Sequence, residues 1–368
     1  MTTTLIQRQI AGLSMTIEGD PSHFMSQLEK ELAIYPLAQS ETDIHFRFGR
    51  ISEELTLTQN PGIHHEYADG FAANFGQAVV RWHWGKRPLT VDWHINAPPR
   101  HWRRKLRSVQ YAHPSEQTGQ VFFELVLIPT LQLFYHDRLL LLHGSALLDR
   151  KDHRAIVFGG TGGIGKTSLE LALVNDGYDF MADDISILDA SGLLHANFAW
   201  PKIYGYNTQD DGKIKKRIFR SRGPLDRLLW ETRMRRYGGS LVRRRVNPQS
   251  FFDGAICQQA KLKAYYLLFR DNVDAVRITS IDAATTISMS LDVMKAEYTV
   301  LYRHLHWHDF NRVGMGLSPL VTAQIIFDGW QKAGESVFSD IDCYLVHVPF
   351  GVSAVDLRTS LPDLLRQL

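Results

Sequence analysis

Only two cysteines, Cys257 and Cys343, occur in the 368 residues, and they lie far apart. That excludes a disulfide framework and a cysteine-built zinc site, so both are expected as reduced thiols. Long hydrophobic runs are lacking too. The longest apolar stretch, Phe122 to Tyr135, is broken by Glu124, Pro129 and Gln132 and is too short to span a bilayer. Met1 to Arg8 lacks the apolar core of a secretory signal. The expected localisation is therefore cytoplasmic, with no membrane partner. Neither sign of charge dominates: 41 Lys and Arg meet 39 Asp and Glu, a net +2 that by itself points to no class of partner. Internal repeats and low-complexity tracts are absent. What remains is an ordinary globular composition, 44% hydrophobic and 22% charged, long enough for two domains or one large one.

The most informative stretch is Gly160-Thr161-Gly162-Gly163-Ile164-Gly165-Lys166-Thr167-Ser168, which fits the phosphate-cradling pattern G-x-x-x-x-G-K-[ST]. Its flanks agree: Ala155 to Phe158 predicts a short buried strand, and Lys166 to Val174 a helix stopped by Asn175-Asp176-Gly177. The glycines let backbone N–H groups turn toward an anion at a helix N-terminus. Lys166 can reach the β- and γ-phosphates of ATP, and the Thr167 hydroxyl can ligate Mg²⁺.

Two further features lie close by. Asp183 and Asp184 follow Lys166 at a distance that leaves room for one helix and one strand. Paired acids at such a strand end can hold a metal and accept a proton, although a solvated turn would read the same. Upstream, Arg138 to Leu148 forms two apolar runs around His143-Gly144, expected as adjacent strand segments. Alone, a histidine there is more often a core or surface residue than a catalyst.

His143-Gly144, the loop from Gly160 to Thr167, and Asp183-Asp184 together resemble the HPr kinase/phosphorylase family and its smaller peptide-kinase relatives. That family carries an H-G pair, a G-x-S-G-x-G-K-[ST] loop and a D-D pair in this order and at similar separations. The resemblance covers Leu139 to Leu188. It implies an α/β P-loop kinase domain of the type shared with phosphoenolpyruvate carboxykinase. It also implies Asp183 as general base assisted by His143, and Asp184 with Thr167 as the Mg²⁺ ligands. Gly162 stands where the family has Ser, and Asn197 to Tyr206 replaces the downstream L-E-x-R-G signature. The resemblance thus carries neither a second metal nor the phosphorylase reaction, and it points to an acceptor other than HPr.

The rest of the chain frames this centre. Residues 1–97 read as a small α+β domain, with strands at Leu13 to Glu18, Ile44 to Phe48, Ala78 to Trp84 and Leu89 to Ile95. A helix is expected from Pro21 to Ala33. Pro98-Pro99 marks the boundary to a kinase domain, 98–368, which opens on a helix from Glu116 to Tyr135 with Pro129 as a kink. From Lys213 to Arg245, thirteen basic residues meet two acids, +11 locally against −9 elsewhere. Such a segment can be a lid over ATP, a dock for an acidic peptide or a solvated face, with nucleic acid the least favoured. Ile281 to Leu301 predicts one helix. His304, His306 and His308 would share a face if the chain there were a strand, but the expected role is a surface or helix-end cluster rather than a metal site.

The sequence therefore predicts an ATP- and Mg²⁺-dependent kinase acting on a hydroxyl, in first place Ser or Thr of a peptide or protein. A small-molecule hydroxyl kinase and a nucleotide-gated binding module without turnover are the alternatives.

Overall fold

The computed structural model describes residues 3–51, 63–96, 116–174, 176–209 and 212–365. The structure is mixed α/β, with two large sheets. The expected boundary at Pro98-Pro99, and Asn175 of the helix stop, lie outside the described residues.

The first sheet holds β1 (Thr4–Ile10), β2 (Leu13–Gly19), β3 (Ile44–Phe48), β4 (His64–Tyr67), β5 (Gly70–Asn74), β6 (Ala78–His83) and β7 (Leu89–Ile95). Its order is β1-β2-β3-β7-β6-β5-β4. Alternation along the strands buries Met15, Ile17, Ile44, Phe46, Val80, Trp82, Val91 and Trp93. Helix α1 (His23–Leu32) starts where the Ser22 hydroxyl accepts the Met25 N–H, and it buries Met25, Leu28 and Leu32.

The long helix expected next is present, but its irregularity is not a simple kink. Two α-helical pieces, α2 (Gln117–Val121) and α3 (Ile128–Phe134), are joined by a π-helical turn, Phe122–Leu127. Ile128 N–H reaches back five residues to Phe123 O. Pro129 has no N–H to donate, so a wide turn before it avoids a broken i→i−4 ladder. Trp82 Nε1–H donates to Thr130 Oγ1 at 2.8 Å and ties β6 to α3.

The second sheet starts with β8 (Leu139–Asp149) and β9 (Arg154–Gly159). After α4 (Lys166–Leu173), β10 (Tyr178–Ala182), β11 (Ile185–Asp189) and β12 (Leu193–His195) continue it. A separate ribbon, β13 (Lys202–Tyr204) and β14 (Arg243–Arg245), flanks helix α5 (Pro224–Tyr237) in the chain. The sheet is completed by β15 (Gln259–Asp271), β16 (Arg277–Ser280) and β17 (Asp342–Pro349), with β15 parallel to both β9 and β17. The two strand segments expected around His143-Gly144 are one continuous strand. One edge pairs with β11 over Leu139 to His143 and with β10 over Ala146 to Asp149, while β9 pairs along Gly144 to Asp149. A side chain at 144 would put Cβ 2.9 Å from Phe158 O, so only glycine lets β8 approach the strand that feeds the loop.

Three helices, α6 (Ala283–Glu297), α7 (Thr299–Gly314) and α8 (Ala323–Phe338), lie between β16 and β17, and α9 (Ala354–Leu365) comes after β17. The helix expected over Ile281 to Leu301 divides at Tyr298, and the histidine run is helical. Helical spacing buries His304 and His308 and exposes His306, which corrects the reading as a surface cluster. His64, Glu66 and His308 bring their ligand atoms within 4.8 Å of one another. However, Leu320 N–H donates to His308 Nε2 at 3.0 Å. That places the ring proton on Nδ1, where it is donated to Glu66 at 2.9 Å, leaving a hydrogen-bond network between β4 and α7 rather than an open ligand set.

The basic segment is largely built into the fold. Arg245 forms a buried 2.8 Å pair with Glu31 of α1. Arg244 pairs with Asp226 at 2.9 Å, Arg222 with Glu116 and Asp226 at 3.0 Å each, Lys215 with Glu231 and Arg220 with Asp253. One connected set of buried apolar side chains runs through both sheets. Among the described residues no helix is long and apolar enough to cross a membrane.

Candidate active site

The glycine-rich loop leaves β9 and enters α4, the strand-to-helix context expected of it. Gly160, Gly163 and Gly165 have φ of +133°, +76° and +116°, values that disfavour any residue with a Cβ. Lys166 Nζ donates to Gly160 O at 2.8 Å and Thr161 O at 3.0 Å, so the lysine spans its own loop. Burial lowers its proton affinity, while Asp184, Asp183 and Glu297 oppose that and favour the cation.

The loop opens on a cavity of about 1080 Å³. His143, Gly162, Gly163, Gly165, Lys166, Thr167, Asp183 and Asp184 all line it. The remaining expected residues support the loop from behind. Ile164 is buried in the core, the Gly160 and Thr161 carbonyls accept from Lys166, and the buried Ser168 hydroxyl donates to Asn207 Oδ1 at 2.8 Å.

Asp183 and Asp184 sit in the short turn between β10 and β11. The turn is fixed from β8: Ser145 Oγ donates to Asp183 O at 2.8 Å, and Gly144 N–H to Asp184 O at 3.1 Å. The two carboxylates have different neighbours. Thr167 Oγ1 donates to Asp183 Oδ1 at 2.8 Å, not to Asp184. Burial and repulsion from Asp184 push the Asp183 carboxyl up to about 6 despite that bond. Asp184 is held well below the usual carboxylate range, chiefly by Lys202, whose Nζ lies 2.9 Å from Oδ2. One acid is therefore poised to exchange a proton near neutrality, and the other stays ionised.

His143, in β8 opposite Ile185, is buried, and its Nε2 has no hydrogen-bond partner. Burial and then Lys166 lower its proton affinity, which keeps the ring neutral at pH 7. Its nearest carboxylate is Glu297 Oε1 at 3.7 Å. The same oxygen accepts the Gly162 N–H at 3.2 Å, so a carboxylate sits on a backbone N–H of the glycine loop.

Sequence reading missed Glu297, Lys202, Glu124 and Glu170. Glu124, on the π-helical turn, pairs with Lys202 at 2.5 Å. Glu170 lies one helical turn beyond Lys166, fully buried, with the Asp183 carboxyl and the Ser145 hydroxyl as its polar neighbours. Burial, with Asp183 beside it, raises its proton affinity well above the usual carboxyl range. The only usable signal was Glu170's i+4 spacing from Lys166. The other three come from distant segments without a motif.

No protein-family model matches the chain, and no curated protein matches it. Among solved structures, the Hpr(Ser) kinase/phosphatase from Coxiella burnetii is similar over 62% of this chain and 97% of that chain. The identity is 11% and the TM-score 0.26, a level at which the likeness supports no assignment.

Proposed function

We propose that the protein is an ATP- and Mg²⁺-dependent kinase that transfers the γ-phosphoryl group to a hydroxyl, in first place Ser or Thr of a peptide or protein. The observation that carries this reading is the convergence of Lys166, Thr167, Asp183, Asp184 and His143 on one cavity at the mouth of a positive-φ glycine loop. Loop N–H groups and Lys166 hold the phosphates. The Thr167 hydroxyl donates its hydrogen bond to Asp183 Oδ1, which leaves its oxygen lone pairs for a metal ion. With the ionised Asp184 it offers the hard oxygen donors that suit Mg²⁺. When bound, that ion offsets phosphate charge. Asp183 accepts the proton of the attacking hydroxyl, the new O–P bond forms, and the bond from the γ-phosphorus to the bridging oxygen of ADP breaks. Neutral His143 stands beside the pair as a secondary proton acceptor.

One observation favours a second reading, a small-molecule hydroxyl kinase. The cavity is walled by residues from the β5–β6 turn, the π-helical turn, the second sheet and α9, including Phe75, Phe123, His143 and Val355, which suits an enclosed acceptor. Incubation with γ-labelled ATP, seryl and threonyl peptides and small alcohols separates the two by where the label goes. Transfer to no acceptor, with nucleotide still bound, would leave only the binding-module reading.

A further inference from the structure

Lys202 lies where two carboxylates converge at the edge of the cavity. Its Nζ is 2.5 Å from Glu124 Oε1 and 2.9 Å from Asp184 Oδ2. The side chain is only 17% exposed. The main chain of β13 anchors it, and the Lys202 N–H points to Asp183 Oδ2 at 3.4 Å. The ammonium is thus fixed between two acids of the cavity while its main chain faces a third, and it comes from a segment with no phosphate-binding motif. Two carboxylates facing each other beside a polyphosphate site make a position for a divalent cation. Here that position is filled by a covalently tethered charge.

Resting on the kinase reading, we propose that Lys202 is the built-in second cation of the site. It takes the place between Asp184 and Glu124 that a second divalent ion would need, so transfer runs with one Mg²⁺ per nucleotide. The geometry fits this task. An ammonium has three N–H donors, two are spent on Glu124 and Asp184, and the third remains for an oxygen of the transferring phosphoryl group. Asp184 gives Oδ2 to Lys202 and keeps Oδ1 for the one metal ion. A preorganised ammonium stabilises charge that develops in the transition state without dissociating at low metal concentration.

The test counts bound Mn²⁺ by electron paramagnetic resonance, in wild type and Lys202→Met, with and without the non-hydrolysable analogue AMP-PNP. Wild type should hold one Mn²⁺ per AMP-PNP. Lys202→Met should hold one more ion than wild type in both arms, and adding Glu124→Gln should remove it. Lys202→Arg should keep the wild-type count. Turnover of Lys202→Met should fall about 10²-fold, in the range for loss of one transition-state donor. An unchanged ion count in Lys202→Met, or two ions per AMP-PNP in wild type, overturns the proposal. The wild-type count decides by itself should Lys202→Met not fold. If AMP-PNP binds to neither protein, the kinase reading fails, while the nucleotide-free arm still tells whether Lys202 holds a cation's place.

Discussion

Asp183 and Asp184 are identical in chemistry and adjacent in sequence, yet their surroundings separate them. Asp183 is buried against Asp184 and its carboxyl rises to about 6, whereas Lys202 keeps Asp184 ionised. A base must be ionised to work. Turnover is therefore expected to rise with pH through roughly 6 and level off above it, a profile a pH series of kcat would show. Asp183→Asn should lose turnover but still bind Mg-ATP, and Asp184→Asn should lose Mg²⁺ dependence and nucleotide affinity together. Identical behaviour of the two variants in binding and turnover would refute the division of roles. The raised value also has a stability consequence. The folded state holds the Asp183 proton more tightly than the unfolded chain, so ionising it costs stability as pH rises from about 4 through 6. Asp183→Asn should then melt higher than wild type at pH 7, with the gain gone below about pH 4, as calorimetry would record. Glu297 offers a third check. Its carboxylate competes for the Gly162 N–H that a phosphate would use, so Glu297→Gln should tighten ATP binding several-fold by titration calorimetry.

At the scale of elements, the basic segment Lys213 to Arg245 contains two kinds of charge. Arg245 and Glu31 are both fully buried and join β14 to α1. Removing one partner leaves an uncompensated charge, so Arg245→Met alone should cost about 3–5 kcal/mol in denaturant unfolding, and Arg245→Met with Glu31→Leu far less. Arg235 and Arg236 are exposed on α5, and replacing both with Ser should change stability by no more than about 0.5 kcal/mol. A several-fold rise in KM for ATP or acceptor in that variant, shrinking with salt, would identify a lid or dock; an unchanged KM at low salt would make the segment plain surface. Sequence showed the +11 block but not this partition. Three of its partners, Glu31, Glu116 and Asp253, lie outside the block, where no local pattern links them. The loop, its strand and its helix were legible because their glycines and apolar runs are contiguous. The histidine run was not, since His304, His306 and His308 fit a period of two while the chain around them follows a period near 3.6. The turn before Pro129 escaped for a related reason: proline marks where a helix ladder fails but not how it is repaired.

For the molecule as a whole, the cavity draws its walls from nearly every part of the chain: Phe75 in the turn between β5 and β6, Gln120 and Glu124 on the helix joining the sheets, the glycine loop, Lys202 and Tyr204 on β13, Glu297 at the end of α6 and Val355 on α9. A ligand seated there touches elements hundreds of residues apart, and because it binds only the folded chain it must stabilise the whole of it. At a ligand concentration of 100 Kd the gain is about 2.7 kcal/mol. Unfolding entropy near 2.1 cal/mol/K per residue then sets the size of the shift, about 3.5 °C for a chain of 368 residues. Scanning calorimetry with Mg-ATP should show this rise in wild type. Lys166→Ala, which loses the cation spanning the loop, should fold but show a much smaller rise at the same ATP concentration. The Asp183→Asn variant separates this from a general loss of the site, since it keeps the lysine and should retain the full shift while losing turnover. An equal shift in wild type and Lys166→Ala would mean that nucleotide binds elsewhere or without the loop, and the phosphate-cradle assignment would fall with it.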